Sequence, residues 1–69
     1  MELWQERVIQ EKKELDEKIE KLQNKLEGAD VYLVEKPERR FLAAQMYAMV
    51  NYSAVLGARI TSWSQTSAT

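Results

Sequence analysis

The sequence predicts an all-α protein: an antiparallel two-helix hairpin that assembles into a homo-oligomeric helical bundle. Two helix-forming stretches separated by a short break carry the hairpin. The oligomer follows from the second stretch, which has almost no solvated face. From Phe41 to Ile60 it reads FLAAQMYAMVNYSAVLGARI, with Arg59 as its only charge. A helix on the outside of a monomer sets a charged side opposite its apolar stripe. This one calls for burial on several sides, by the first helix and by copies of itself.

The first helix is expected over residues 3–27, dense in Glu, Lys, Gln and Leu, with no Gly or Pro before Gly28. Val8, Lys12, Leu15, Ile19, Leu22 and Leu26 recur at alternating four- and three-residue steps, the seam of a packed helix. Glu14–Lys18 and Glu17–Lys21 are Glu-before-Lys pairs four residues apart, suited to a solvated face. Gly28 stands at the C′ position, where a left-handed residue often ends a helix.

Residues 28–37, GADVYLVEKP, break the pattern and form the linker. Val31 to Val34 suit one extended or 3₁₀ turn over the open end of the hairpin. Pro37 opens the second helix at its first position, where its fixed φ fits and its missing N–H costs nothing.

The second helix is expected over residues 38–62, with Leu42, Met46, Met49, Ser53, Leu56, Ile60 and Trp63 as its seam. Phe41, Gln45, Ala48, Tyr52, Val55 and Arg59 form a second column beside it, and Ala43, Tyr47, Val50, Ala54 and Gly57 a third. One seam meets the first helix; the other columns need a partner chain. Residues 1–63 are thus one helical-hairpin domain and 64–69 a polar, flexible tail.

With 69 residues, a chain buries only about 60% of its unfolded surface and gains most from oligomerisation. It contains no Cys and no His, which removes disulfides, thiolate nucleophiles and imidazole or thiolate metal sites. The formal net charge of -1 argues against a binder of long nucleic acid. All 11 acids lie in residues 1–38, and only Arg39, Arg40 and Arg59 carry charge beyond them. A surface lined by the second helix is therefore mildly positive. No apolar run approaches the roughly 20 residues that span a bilayer, and no signal-peptide core is present. The expected location is the cytoplasm. Carboxylates lie on the solvated face of the first helix, without the desolvation that tunes a general acid or base. No phosphate loop, nucleophile elbow or metal spacing occurs, so the chain reads as a non-enzyme without cofactor.

Polar residues near apolar faces are the candidate site. Lys12 at a seam position either fixes register or offers an amine to an anion. Antiparallel packing brings Trp4, Arg7 and Glu11 toward Tyr52, Arg59 and Trp63. There Glu11 pairs with Arg59, or Arg7 and Arg59 bind phosphate while Trp4, Tyr52 or Trp63 stacks on a base, and both can hold; Tyr47 is a further stacking candidate for a sponge. Arg39 and Arg40 sit in the first turn of the second helix, pairing with Glu35, Glu38 or a neighbouring subunit's acids, or with an anion. Gln45 and Asn51 are candidate hydrogen-bonding partners of a purine edge, or interhelical bonds.

WQERVIQEKKELDEKIEKL, a short linker and ERRFLAAQMYAMVNYSAVLGARI resemble a family of small helical-hairpin proteins common in bacteriophage genomes and related to crAss-like phages. The resemblance covers residues 3–61. The family's recurrent residues match Arg7, Val8, Glu11, Leu15, Lys18 and Leu22 in the first helix, and Gln45, Met49, Tyr52, Leu56, Arg59 and Ile60 in the second. It implies a phage origin and no established chemistry. In architecture alone the chain is similar to the anti-CBASS and anti-Thoeris sponges, which sequester immune signals between subunits. That likeness implies a phage immune-evasion sponge in the host bacterial cytoplasm. It would hold a cyclic nucleotide or ADP-ribose-type signal without catalysis, its partners being itself and that nucleotide, with no membrane. Two other readings stay open: an oligomeric module that inhibits or bridges a host protein, and a structural phage coiled coil.

Overall fold

A computed structural model describes residues 2–67. Helix α1 spans Leu3–Glu27, a 3₁₀ turn spans Ala29–Leu33, and helix α2 spans Lys36–Ser67. The two helices pack against each other as a hairpin measuring 51 × 16 × 14 Å. No strand occurs among the described residues.

Helix α1 begins at a cap the sequence reading did not identify: the Glu2 backbone N–H donates to Gln5 Oε1 at 2.8 Å. This satisfies a group that would otherwise face water unpaired. Gly28 ends the helix in an extended conformation, φ -78 and ψ 162. The reason is local: the Gly28 carbonyl accepts the Val31 N–H at 3.2 Å, so the chain passes directly into the 3₁₀ turn. That turn half-buries Val31 and Val34. Tyr32 and Leu33 stand 80% and 85% exposed, so the turn covers the hairpin end only in part.

Helix α2 starts earlier than the expected residue 38. The Arg39 N–H donates to the Glu35 carbonyl at 3.0 Å, which puts Pro37 in the second helical position. There its missing N–H still falls among the first-turn donors that have no partner within the helix. The helix also continues past residue 62 to Ser67. Of the tail expected over 64–69, residues 68 and 69 lie outside the described residues.

The seam is the one read from spacing. Val8, Leu15, Leu56 and Ser53 are buried, and Ile19, Met49, Ile60 and Trp63 pack around them. Leu56 is 0% exposed and holds the centre. Trp4 meets Trp63 edge-on, ring centroids 5.1 Å apart, closing the end of the hairpin where α1 begins. On α1 the expected Glu14–Lys18 and Glu17–Lys21 ion pairs do not form. Gln10 donates to Glu14 and Gln23 to Glu27, both at 3.1 Å, and Lys12 pairs with Asp16. Exposed ion pairs gain little in water and yield readily to such alternatives.

Candidate functional site

Two polar arrangements emerge, one inside the seam and one beside it. Inside, Lys12 Nζ donates to Asp16 Oδ2 at 2.7 Å and to Ser53 Oγ at 3.0 Å. The Ser53 hydroxyl donates in turn to Asp16 Oδ1. The hydrogen bond from Lys12 and then that from Ser53 hold the Asp16 carboxyl below its ordinary value, while desolvation opposes them. Gly57 makes room for the lysine stem, since a Cβ there would lie 3.2 Å from Lys12 Cε. The Lys12 amine is thus engaged by Asp16 of its own helix and by Ser53 of the other.

Beside the seam, the hairpin has two unlike flanks. In an antiparallel pair, positions one residue before the seam on both helices share one side, and positions one residue after it share the other. The first flank carries Arg7, Glu11, Glu14, Lys18, Lys21 and Lys25 on α1, with the Phe41–Gln45–Ala48–Tyr52–Val55–Arg59 column on α2. All twelve are exposed. Five bases against two acids give this flank a charge of +3. The second flank carries Ile9, Lys13, Asp16, Glu20, Gln23 and Glu27, facing Ala43, Tyr47, Val50, Ala54, Gly57 and Thr61. One base against three acids gives it -2.

The sequence-derived site residues divide along these lines. Arg7, Glu11, Gln45, Tyr52 and Arg59 share the cationic flank. Among the described residues neither Arg7 nor Arg59 has an ion pair or hydrogen bond, and the anticipated Glu11–Arg59 pair does not form. Gln45 Nε2 donates weakly to Met49 Sδ at 3.9 Å. Trp4 is half-exposed, with its ring set against Trp63. Tyr47 lies on the opposite flank, and Asn51 on the outer face of α2. Arg39 continues the seam and is half-buried, its Nε out of water without a hydrogen-bond partner. Neither Arg39 nor Arg40 pairs with Glu35 or Glu38. Arg40 joins Lys36, Pro37 and Phe41 around a depression of about 390 Å³.

Arg40 and Arg59 are not brought together within one chain. They lie nineteen positions apart on α2, about 28 Å of helix. A second depression of about 400 Å³ on the other flank is lined by Ile9, Lys12, Lys13, Asp16, Glu17, Glu20 and Ile60. Its three carboxylates outnumber its two amines, so it disfavours an anion. Among the described residues no group of His, Cys, Asp or Glu converges as a metal site requires, and no helix is long and apolar enough to cross a membrane.

Sequence reasoning missed Asp16, Lys36 and Phe41 as parts of these arrangements. Asp16 was signalled by its four-residue spacing from Lys12 and by Ser53, the one hydroxyl in the opposing seam. Lys36 and Phe41 were hidden because their pairing with Arg40 depends on where α2 begins.

Comparison with known proteins finds one match at the family level. A family model described as Sequestin matches residues 2–62, which includes both flanks and all of the seam but Trp63. No curated protein and no solved structure matches the chain.

Proposed function

The chain belongs to the Sequestin family, and from that premise we propose that it is a sponge, holding a small nucleotide signal without transforming it. The family's name points to sequestration and not to catalysis. The ligand proposed is a cyclic nucleotide or an ADP-ribose-type molecule, bound in pockets between subunits of a homo-oligomer. The setting proposed is phage evasion of bacterial immunity in the host cytoplasm.

One observation carries the ligand class. Arg7 and Arg59 stand exposed and unpaired on the same flank as Tyr52, next to the Trp4–Trp63 end of the hairpin. A guanidinium presents a rigid fork of donors that matches phosphate oxygens. An aromatic face accepts any nucleobase, and stacking contributes about 1–3 kcal/mol per base. A free arginine beside an aromatic ring is therefore suited to a charged, flat ligand. The need for subunits follows from exposure: Phe41 and Tyr47 stand 69% and 68% exposed, and an open surface gives weak, screened contacts with an anion.

The test is a thermal-shift screen against cyclic di- and trinucleotides and ADP-ribose derivatives. A ligand that binds only the folded state at a hundredfold excess over Kd adds about 2.7 kcal/mol of stability. The expected result is a raised Tm with one ligand class, lost in Arg59→Ala, whose own Tm without ligand matches the parent. Silence across the panel would sink this reading.

A second reading rests on Tyr32 and Leu33. Two neighbouring large side chains stand out from the hairpin tip into water, an arrangement suited to a protein partner. In that reading the chain is a module that inhibits or bridges a host protein. Tyr32→Ser with Leu33→Ser then abolishes partner capture, and nucleotides have no effect.

A further inference from the structure

Three residues that are each unique in their place meet at one level of the seam. Lys12 is the only charged residue in the seam of α1, Ser53 the only hydroxyl in the seam of α2, and Gly57 the only glycine of α2. The Lys12 stem passes over Gly57, where a Cβ would lie 3.2 Å from its Cε. Its amine then reaches Ser53 Oγ at 3.0 Å and Asp16 Oδ2 at 2.7 Å. The Ser53 hydroxyl closes the ring by donating to Asp16. Ser53 is 7% exposed, so these partners stand in for water. A glycine inside a helix weakens it relative to alanine, and the room it leaves here is taken by the lysine stem.

Apolar packing alone does not choose this alignment. The other buried or half-buried residues of the seam are aliphatic or are Met49 and Trp63. A slide of α2 by one heptad, about 10 Å, sets apolar residues against apolar residues again. Leu56 then takes the place of Trp63 against Trp4. The linker permits such a slide: residues 28–35 reach up to about 26 Å when extended, against about 8–10 Å between packed helices. The polar bridge does not survive it. With α2 slid one way, Met46 stands where Ser53 was and Val50 where Gly57 was; slid the other way, Ile60 and Ser64 stand there. In both, the lysine stem meets a side chain in place of open room, and its amine meets a thioether or an aliphatic chain in place of a hydroxyl. Ser53 is left unpaired among apolar groups, and a buried donor without a partner is disfavoured.

We propose that Lys12, Asp16, Ser53 and Gly57 form a register lock, which selects one alignment of the two helices and thereby sets Arg7 beside Arg59. Arg7 follows Trp4 by three residues and Arg59 precedes Trp63 by four, and the two tryptophan rings meet. The arginines are therefore level to within about 2 Å along the hairpin. One heptad of slide brings Tyr52 level with Arg7 and carries Arg59 about 10 Å away. The four lock residues thus act on the cationic flank by position and not by contact. That the flank holds a nucleotide rests on the sponge reading above; the lock does not.

The chain has no cysteine, so a thiol crosslinker reports the alignment directly. Arg7→Cys is combined with Arg59→Cys or with Tyr52→Cys, and each double variant is treated with a short bis-maleimide at high dilution. With the lock intact, only the 7–59 pair is expected to close within one chain. Lys12→Leu with Ser53→Ala removes the lock and leaves an apolar seam, so the hairpin is expected to keep its helix content and its urea midpoint. In that background the 7–59 link is expected to fall and the 7–52 link to appear. A folded chain without the lock that closes 7–59 as fully as before would overturn the proposal. If Lys12→Leu costs the fold, Ser53→Ala with Asp16→Ala, which leaves the amine free to reach water, carries the same comparison. For the site, ADP-ribose and cyclic di-AMP are the probes. A thermal shift that either gives the parent is expected to shrink in Lys12→Leu with Ser53→Ala, although Arg7, Tyr52 and Arg59 are all in place. An undiminished shift would overturn the positioning role. A parent that responds to neither probe counts against the sponge reading, and the crosslinks still decide the lock.

Discussion

The two flanks of this hairpin share one seam and differ in nearly everything else. One sets five bases against two acids beside a column containing Phe41, Tyr52 and Val55; the other sets one base against three acids beside Tyr47, Val50 and Ala54. The overall charge of -1 averages these into near-neutrality. What an anion approaching the surface meets is the local field, and that changes sign across a molecule 14–16 Å thick. Composition is therefore a poor guide to ligand class in a chain whose helices sort their charges by phase.

The largest effect belongs to the seam that holds both flanks in place. Leu56 is fully buried and touches the cluster from both helices. Leu56→Ala is expected to cost about 2–5 kcal/mol, most of the stability of so small a core. Urea denaturation followed by circular dichroism measures it. Val55→Ala, one residue away on the exposed flank, is expected to leave the unfolding of the isolated hairpin within about 0.5 kcal/mol. Equal costs at the two positions would break the distinction between seam and flank.

Reversing one charge on each flank sharpens the comparison. Arg59→Glu is expected to weaken binding of an anionic nucleotide by more than about tenfold, the scale of a lost charge-assisted hydrogen bond. Lys13→Glu makes the same change of charge on the acidic flank and is expected to leave binding within about twofold. Isothermal titration at two salt concentrations measures both, and the parent's affinity should fall as salt rises. Comparable losses from the two variants would show that net charge, and not the flank, governs binding.

Spacing alone made the seam legible, because a 3.6-residue helix turns every fourth or third apolar residue toward one neighbour. Val8, Leu15, Leu56 and the rest needed no other information. The columns beside the seam were equally visible, and so was their exposure in a lone pair. The sequence was silent where one helix's register against the other decides the outcome. Asp16 looked like any solvated acid until Ser53 came level with it, and Glu11 looked like a partner for Arg59 although no ion pair joins them. At the linker the residues left an extended and a 3₁₀ course both open, and the hydrogen bond from Val31 to the Gly28 carbonyl chooses the second.

The bond network at the edge of the acidic flank gives a smaller, separable effect. Ser53→Ala removes a hydroxyl that accepts from Lys12 and donates to Asp16. The Lys12–Asp16 pair remains and can turn to water, so the expected cost is about 1 kcal/mol in urea denaturation. A cost near that of Leu56→Ala would mean that the network, and not apolar packing, holds the helices together.

The smallest effect is set by pH. Asp16 is more acidic when folded than its ordinary value of 3.8, chiefly through the Lys12 hydrogen bond and then through Ser53. A carboxyl with a lowered folded pKa binds fewer protons in the folded chain than in the unfolded one, so stability rises with pH across that interval. Its contribution is complete above the unfolded value and disappears as pH falls through the folded one. The parent should therefore lose melting temperature between about pH 4 and the lower folded pKa. Asp16→Asn keeps the shape but cannot titrate, and should show a shallower loss over that range. If Asp16→Asn and the parent run parallel below pH 4, the Lys12 and Ser53 hydrogen bonds do not hold the carboxylate on the acidic flank. The contrast between the flanks would then rest on charge count alone, without an anchored acid at the seam.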